Sequence, residues 1–253
     1  MERVKDFDKF IRKLNDARDF SMLQDSMAEI TRLLGFAQFA LGHHVDLVRP
    51  PSNAIRLTNY NPSWINETLE QRFFADDPVH AATARLVRPF YWNELTELSD
   101  AIVMTDHHFR ILERARTFGL TDGVTVPVRL AGEYEGSCSF ATDDMAKVHP
   151  LALSLSPTAA TFAFEKARRL MRQRDGKAPE PVPDFTIRQR EMLILVGRGK
   201  TDAEIADLMG VSRRMAHEHV ESGRRAYGNA QRTLMVIRAV FDGVITFADI
   251  LRR

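Results

Sequence analysis

The chain has 253 residues, 44% of them hydrophobic and 27% charged, enough apolar material for a core in each of two ordinary domains. Its net charge of +1 conceals an asymmetry: from Thr186 onward 12 lysines and arginines stand against 8 aspartates and glutamates, a net +4, which leaves −3 for residues 1–185. No run approaches the roughly 20 apolar residues of a membrane span, and the start "MERVKDFDKF" carries charges where a signal peptide has its apolar segment, so a cytoplasmic chain with no membrane partner is expected. The single cysteine, Cys138, excludes an internal disulfide, and without paired Cys/His spacing no metal and no cofactor is expected.

In chain order, "VKDFDKFIRKLNDA" and "SMLQDSMAEITRLLG" have helical periodicity, the second ending at Gly35. "FAQFALGHHVDLV", "AIRLTNY", "GVTVPVRLA" and "YEGSCSFAT" read as strands, and further helices are placed at 62–74, 78–87 and 105–118. A last helix of this half has Ser156 as its N-cap and Pro157 at its first position, and runs to about residue 172. The segment 173–184, with three prolines and a glycine, reads as a linker. His43 and His44 are adjacent on a strand and His107 and His108 on a helix, so neither pair points to one place as a chelate would. No nucleophile stands beside a base, and an enzyme is not expected.

Beyond the linker, Thr201 and Glu204 have capping-box spacing, Gly210 suits the left-handed end of that helix, and Ser212 caps a second helix running to about Tyr227. Two helices joined so tightly make a helix-turn-helix. Ala216, Val220, Gly223 and Tyr227 form the inward face of the second helix, and Arg213, Arg214, His217, Glu218, Glu221 and Arg224 lie mostly outward. Arginines at both ends of such a helix, including Arg225, suit a reader of the major groove, and Ser212 with its free N–H groups suits a backbone phosphate.

Residues 185–245 resemble the four-helix DNA-binding domain of LuxR-type regulators, through Thr186, Arg188, Arg190, Glu191, Gly199-Lys200-Thr201, Glu204-Ile205-Ala206, Leu208, Val211-Ser212, His219-Val220, Arg232 and Gly243. The resemblance implies DNA contacts from Lys200, Thr201, Ser212, Arg213, Arg214, His217, Arg224 and Arg225. Met215-Ala216 and Ala226 depart from the usual Thr-Val pair and Lys.

Residues 1–172 resemble the autoinducer-binding domain of LuxR-type quorum-sensing receptors, through Tyr60, Trp64, Asp77-Pro78, Pro89, Trp92, Gly119 and Gly123. That resemblance implies an α+β fold, an α-β-α sandwich with an antiparallel sheet, and an N-acyl-homoserine lactone as ligand. Trp64 would donate to the lactone carbonyl, Asp77 accept the amide N–H, and Tyr60 donate to the amide carbonyl with help from Ser139, while Trp92 walls the head. Val79, Phe74, Phe109 and Val126 are candidate walls for the tail, where each buried methylene contributes roughly 0.8 kcal/mol. Thr68 stands where the family commonly has a second aromatic, and Glu135 where an apolar residue is usual. The acyl chain accepted is therefore open, a bulkier, aryl or otherwise atypical ligand included.

The whole reads as a homodimeric regulator of three parts, 1–172, 173–184 and 185–253, that binds a lactone signal and a two-fold promoter site and, if it is an activator, meets RNA polymerase. The alternative is an orphan regulator of the same type whose first domain serves protein contacts. Taken singly, a buried aspartate before proline is often only a helix cap, and a Trp or Tyr only a core residue with a satisfied tip.

Overall fold

The computed structural model describes residues 2–175 and 182–251. The chain falls into two compact units, the first made of residues 1–129 and 134–177 and the second centred on residues 178–253. Residues 176–181 of the expected linker lie outside the described residues.

The first unit opens with α1 (Glu2–Asp16) and α2 (Phe20–Leu33), the latter capped by Asp19, whose carboxylate accepts from Met22 N at 2.8 Å. Gly35, at φ 86°, closes α2 where the sequence places its end. Strands β1 (Gln38–His43) and β2 (Arg56–Thr58) follow, then α3 (Pro62–Glu70) and α4 (Pro78–Thr83), β3 (Phe90–Tyr91), α5 (Asp106–Arg116), β4 (Asp122–Val128), β5 (Gly136–Thr142) and α6 (Ala152–Asp175). All neighbouring strands are antiparallel, in the order β2-β1-β5-β4-β3.

Four expectations are corrected. The helix expected over 62–74 breaks at Arg72, which takes a left-handed φ of 55° before a 3-10 turn over Phe73–Ala75. The one expected over 78–87 stops at Thr83, whose hydroxyl donates to the His80 carbonyl at 2.7 Å, a side-chain bond that competes with the backbone ladder. Ser156 does not cap α6, and Pro157 lies inside it rather than at its first position. Pro157 lacks the N–H that would reach Leu153, and the Ser156 hydroxyl donates to that carbonyl at 3.4 Å instead. At its other end α6 runs to Asp175, so residues 173–175 are helical rather than linker.

Strict alternation sorts the sheet's side chains. Phe39, Leu41, Val124, Val126, Cys138 and Phe140 are buried against α1, α2 and α6, in a core that Leu14, Met27, Ile30, Ala163 and Phe164 complete. The opposite face is covered by α3, α4 and α5, through Trp64, Ile111, Ala115 and Leu120 in one cluster and Val79, Ala82, Phe90 and Leu95 in another. These layers make the α-β-α sandwich.

The second unit contains α7 (Ile187–Gly197), α8 (Asp202–Met209), α9 (Arg213–Ala226), α10 (Arg232–Phe241) and a short α11 (Phe247–Leu251), one helix more than the four expected. Met192, Leu193, Ile205, Ala216, Val220 and Met235 fill its core. Thr201 and Glu204 form their capping box, Gly210 adopts φ 64°, and Ser212 Oγ accepts from Met215 N at 3.2 Å. Among the described residues no helix is long and apolar enough to cross a membrane.

Candidate functional site

The face of the sheet turned away from α6 carries small side chains. Ala40 and Gly42 on β1, Gly123 and Thr125 on β4, and Ser137, Ser139 and Ala141 on β5 alternate with the large core residues. At Gly123 the smallness is obligatory, because a Cβ would stand 2.4 Å from the Phe140 carbonyl and 3.0 Å from the Trp92 ring. Between this floor and helices α3, α4 and α5 lies a cavity of about 150 Å³.

Tyr60, Trp64, Thr68, Phe74, Asp77, Val79, Trp92 and Ser139 all line it. Phe109 and Val126 do not: Phe109 is 43% exposed, and Val126 points into the core on the other side of β4. Local geometry aims the rest. Asn61 caps α3 by accepting from Ser63 N at 2.8 Å, and Pro62 starts the helix, which sets Trp64 and, one turn on, Thr68 on the same stripe. Trp64 packs between Phe73 and Phe118, with ring centroids 5.9 and 5.5 Å away.

The polar atoms divide into those already engaged and those left over. Asp77 caps α4, one carboxylate oxygen accepting from Val79 N at 2.8 Å. Its other oxygen, the Trp64 indole N–H and the Tyr60 hydroxyl have no partner among the described residues. Burial, with the Asp77 carboxylate adding to it, pushes the Tyr60 phenol above its ordinary range, so it stays a donor. The Trp92 indole donates to Thr125 Oγ1 at 2.8 Å, and Thr125 shares a 2.8 Å bond with Ser139. With its N–H spent on the sheet, Trp92 offers the cavity only its ring. Thr68 Oγ1 is buried without a partner.

The sequence reading missed His44, His80 and Ser137, which also line the cavity. Stepping back by two along β5 from Ser139 reaches Ser137, but nothing local brings His44 and His80 together. Their rings stack at 4.1 Å and 25°. Thr83 Oγ1 gives its hydrogen to the His80 carbonyl, so at 3.3 Å it accepts from His44 Nδ1, and His44 Nε2 then accepts from Ser137 Oγ at 2.9 Å. Burial foremost, then the neighbouring His80, His43 and Arg129, lowers the pKa of His44 to about 2, and the ring is neutral. Cys138 is buried, and burial raises its thiol pKa.

In the second unit the expected DNA-facing residues are not equivalent. Arg213 and Arg225 are exposed and have no partner among the described residues. Arg214 pairs with Glu218 at 3.3 Å and Lys200 with Glu204 at 3.0 Å, both on the surface. His217 binds Asp202 at 2.8 Å, and Arg232 takes the other Asp202 oxygen at 2.5 Å and the Lys200 carbonyl at 2.6 Å, tying α8, α9 and α10 together. Arg224 is half-buried, held by the Ala230 carbonyl at 2.9 Å and Glu221 at 2.6 Å. Thr201 and Ser212 spend their hydroxyl oxygens on helix caps. Met215, half-exposed, leaves an apolar side chain on the surface of α9.

Comparison with known proteins places this geometry. A family model described as the autoinducer binding domain matches residues 19–166. Transcriptional activator protein AhyR of Aeromonas hydrophila is 26% identical over 243 residues, covering 94% of this chain and 91% of that protein. Regulatory protein SdiA of Escherichia coli is 27% identical over 203 residues, 80% of each. Among solved structures, SdiA in complex with octanoyl-rac-glycerol superposes with a TM-score of 0.64 at 20% identity, over 97% of this chain and 98% of that one. CepR2 of Burkholderia cenocepacia, an N-acylhomoserine lactone dependent LuxR family factor, matches 70% of this chain and 100% of its own with a TM-score of 0.52 at 16% identity. With that domain ahead of a helix-turn-helix unit, the chain belongs to the autoinducer-binding family and is a ligand-responsive transcription regulator of the LuxR type, not an enzyme.

Proposed function

We propose that the cavity binds an N-acyl-homoserine lactone, or an aryl analogue of one, and that the chain reads a two-fold promoter site as a homodimer. The observation that carries this reading is the set of unpartnered polar atoms around one apolar space: two donors, Trp64 N–H and Tyr60 O–H, and one acceptor, the free oxygen of Asp77. A lactone carbonyl, an amide carbonyl and an amide N–H are their complement, and each atom left without a partner in a dry site costs about 1–3 kcal/mol. Ser139, backed by Thr125, stands beside the amide carbonyl, and the Trp92 ring closes over the head.

The dimer is supported by apolar residues left at the surface. Leu234, Ile237 and Phe241 form an exposed stripe along α10, and Phe162 is 40% exposed on α6. A second copy would cover them, and half-sites one helical turn apart would then meet the two α9 helices. RNA polymerase is the further partner if the chain activates.

Thermal unfolding of the full chain with a panel of acyl- and aryl-homoserine lactones tests the ligand. A ligand at a hundred times its Kd stabilises by about 2.7 kcal/mol, and Trp64→Phe should lose most of that response. Asp77→Asn keeps a good helix cap while losing the anionic acceptor, so it should weaken binding and leave the unliganded melting temperature nearly unchanged. No stabilisation by any lactone would favour the orphan regulator instead.

A further inference from the structure

The Asp202 junction also bears on what α9 shows to DNA. Arg232 by itself fastens α10 to the start of α8, donating to one Asp202 oxygen at 2.5 Å and to the Lys200 carbonyl at 2.6 Å. His217 reaches the other Asp202 oxygen from α9 at 2.8 Å, yet its side chain is 62% exposed. A pair so open to water contributes little to stability. What the bond fixes is the direction of the ring.

The chemistry of the carboxylate decides that direction. Partial burial pushes the Asp202 carboxyl up, but the bonds from Arg232 and His217 outweigh it and hold the group below its ordinary range. Asp202 is therefore ionised and accepts only, so the 2.8 Å bond requires the His217 hydrogen on Nδ1. Nε2 is left outside, exposed and without a partner among the described residues. His217 stands one turn beyond Arg213 on the same stripe of α9. The two neighbours then differ in kind: the Arg213 guanidinium can only donate, whereas Nε2 of a neutral imidazole accepts. The hydrogen donors of the major groove are the amino groups of adenine and cytosine.

Resting on the promoter reading above, we infer that Asp202 is the positioning residue for a base contact: by holding the hydrogen on Nδ1 it turns His217 Nε2 outward as an acceptor for the amino group of an adenine or a cytosine in each half-site. Asp202 itself does not touch the DNA. It acts through the ring it orients, while Arg232 keeps the carboxylate ionised and in place.

Two measurements test this on the purified full chain. In the first, nitrogen-15 NMR of histidine-labelled wild type at about pH 8, with His217→Gln to assign the signal, should find the His217 hydrogen on Nδ1. A bare Nδ1 overturns the inference without any reliance on how the variants fold. In the second, operators are selected from a library of random duplexes, with and without the lactone panel, by the wild type, His217→Ala, Asp202→Ala and Arg232→Gln. One base pair of each half-site should be preferred about fivefold by the wild type, a preference that both His217→Ala and Asp202→Ala lose. Arg232→Gln, which loosens the junction and leaves the His217 bond, should keep it. At that pair, purine in place of adenine or 2-pyrimidinone in place of cytosine removes the amino group, and should weaken wild-type binding about fivefold more than His217→Ala binding. A preference that survives in either alanine variant, its loss in Arg232→Gln, or equal weakening by the altered base overturns the inference and leaves the promoter reading standing. Selection of no sequence by the wild type overturns both.

Discussion

His44 shows how one buried side chain can set a pH limit on a sensor. Its pKa falls from 6.5 in an unfolded chain to about 2 in the folded one, chiefly through burial. The folded state therefore binds fewer protons than the unfolded state between those values, so the contribution is complete above about pH 6.5 and drains away as pH falls towards 2. The expected loss is up to about 1.4 kcal/mol per pH unit. Urea midpoints measured at about pH 7, 6 and 5 should fall more steeply in the wild type than in His44→Gln, which has no proton to gain; parallel slopes would show that His44 is charged or exposed in the folded protein. Surface arginines of the first unit also differ in what they hold. Arg114 forks onto Glu67 with bonds of 2.5 and 2.8 Å and lies over the Phe118 ring. Arg110 is exposed and without a partner among the described residues, which suits it as a control for DNA binding.

At the scale of elements, the turn between α8 and α9 depends on Gly210. A Cβ there meets nothing within 4 Å, so the whole cost of Gly210→Ala is the backbone at φ +64°. That conformation costs an L-residue about 1–2 kcal/mol, and thermal unfolding should show a loss of this size in the second unit with its helix content intact. A neutral substitution would mean that the turn relaxes. This turn was legible in the sequence, as were the Thr201–Glu204 box, the Ser212 cap and the inward face of α9, because each is written within one or two turns of chain. The start of α6 was misread for the same reason: Ser156-Pro157 is a strong local signal, overridden here by a preceding turn that carries the helix back to Ala152. Strand β3 is two residues long, Phe90–Tyr91, and exists only because β4 pairs with it. The cavity divides likewise. Tyr60, Trp64, Asp77 and Ser139 came from matched motifs, whereas the His44–His80 stack joins two segments whose approach no local pattern announces.

For the whole molecule, the proposed function requires that a signal filling the first unit change what the second does on DNA, and the two ends can be assayed apart. Arg213→Ala removes a free, exposed cation at the start of α9 and should weaken binding to the operator or relax its base preference by about 1–3 kcal/mol at the contacted base pair. Arg110→Ala should leave both unchanged. Equal binding by the two variants at one salt concentration would place the reading surface elsewhere. Lactone stabilisation should be the same for both, since neither lines the cavity.

The Asp202 junction has a further consequence for re-engineering. Along α9, Arg213, Arg214, Met215 and Glu218 face outward with no tie beyond their own helix, whereas His217 and Arg224 are bound to Asp202 and to the Ala230 carbonyl. On the proposed reading, the helix is a DNA-reading element with fixed mounts at 217 and 224 and exchangeable positions at 213–215 and 218. A chimera that takes foreign residues at 213–215 and 218 and keeps 217 and 224 should inherit a new operator without losing its scaffold.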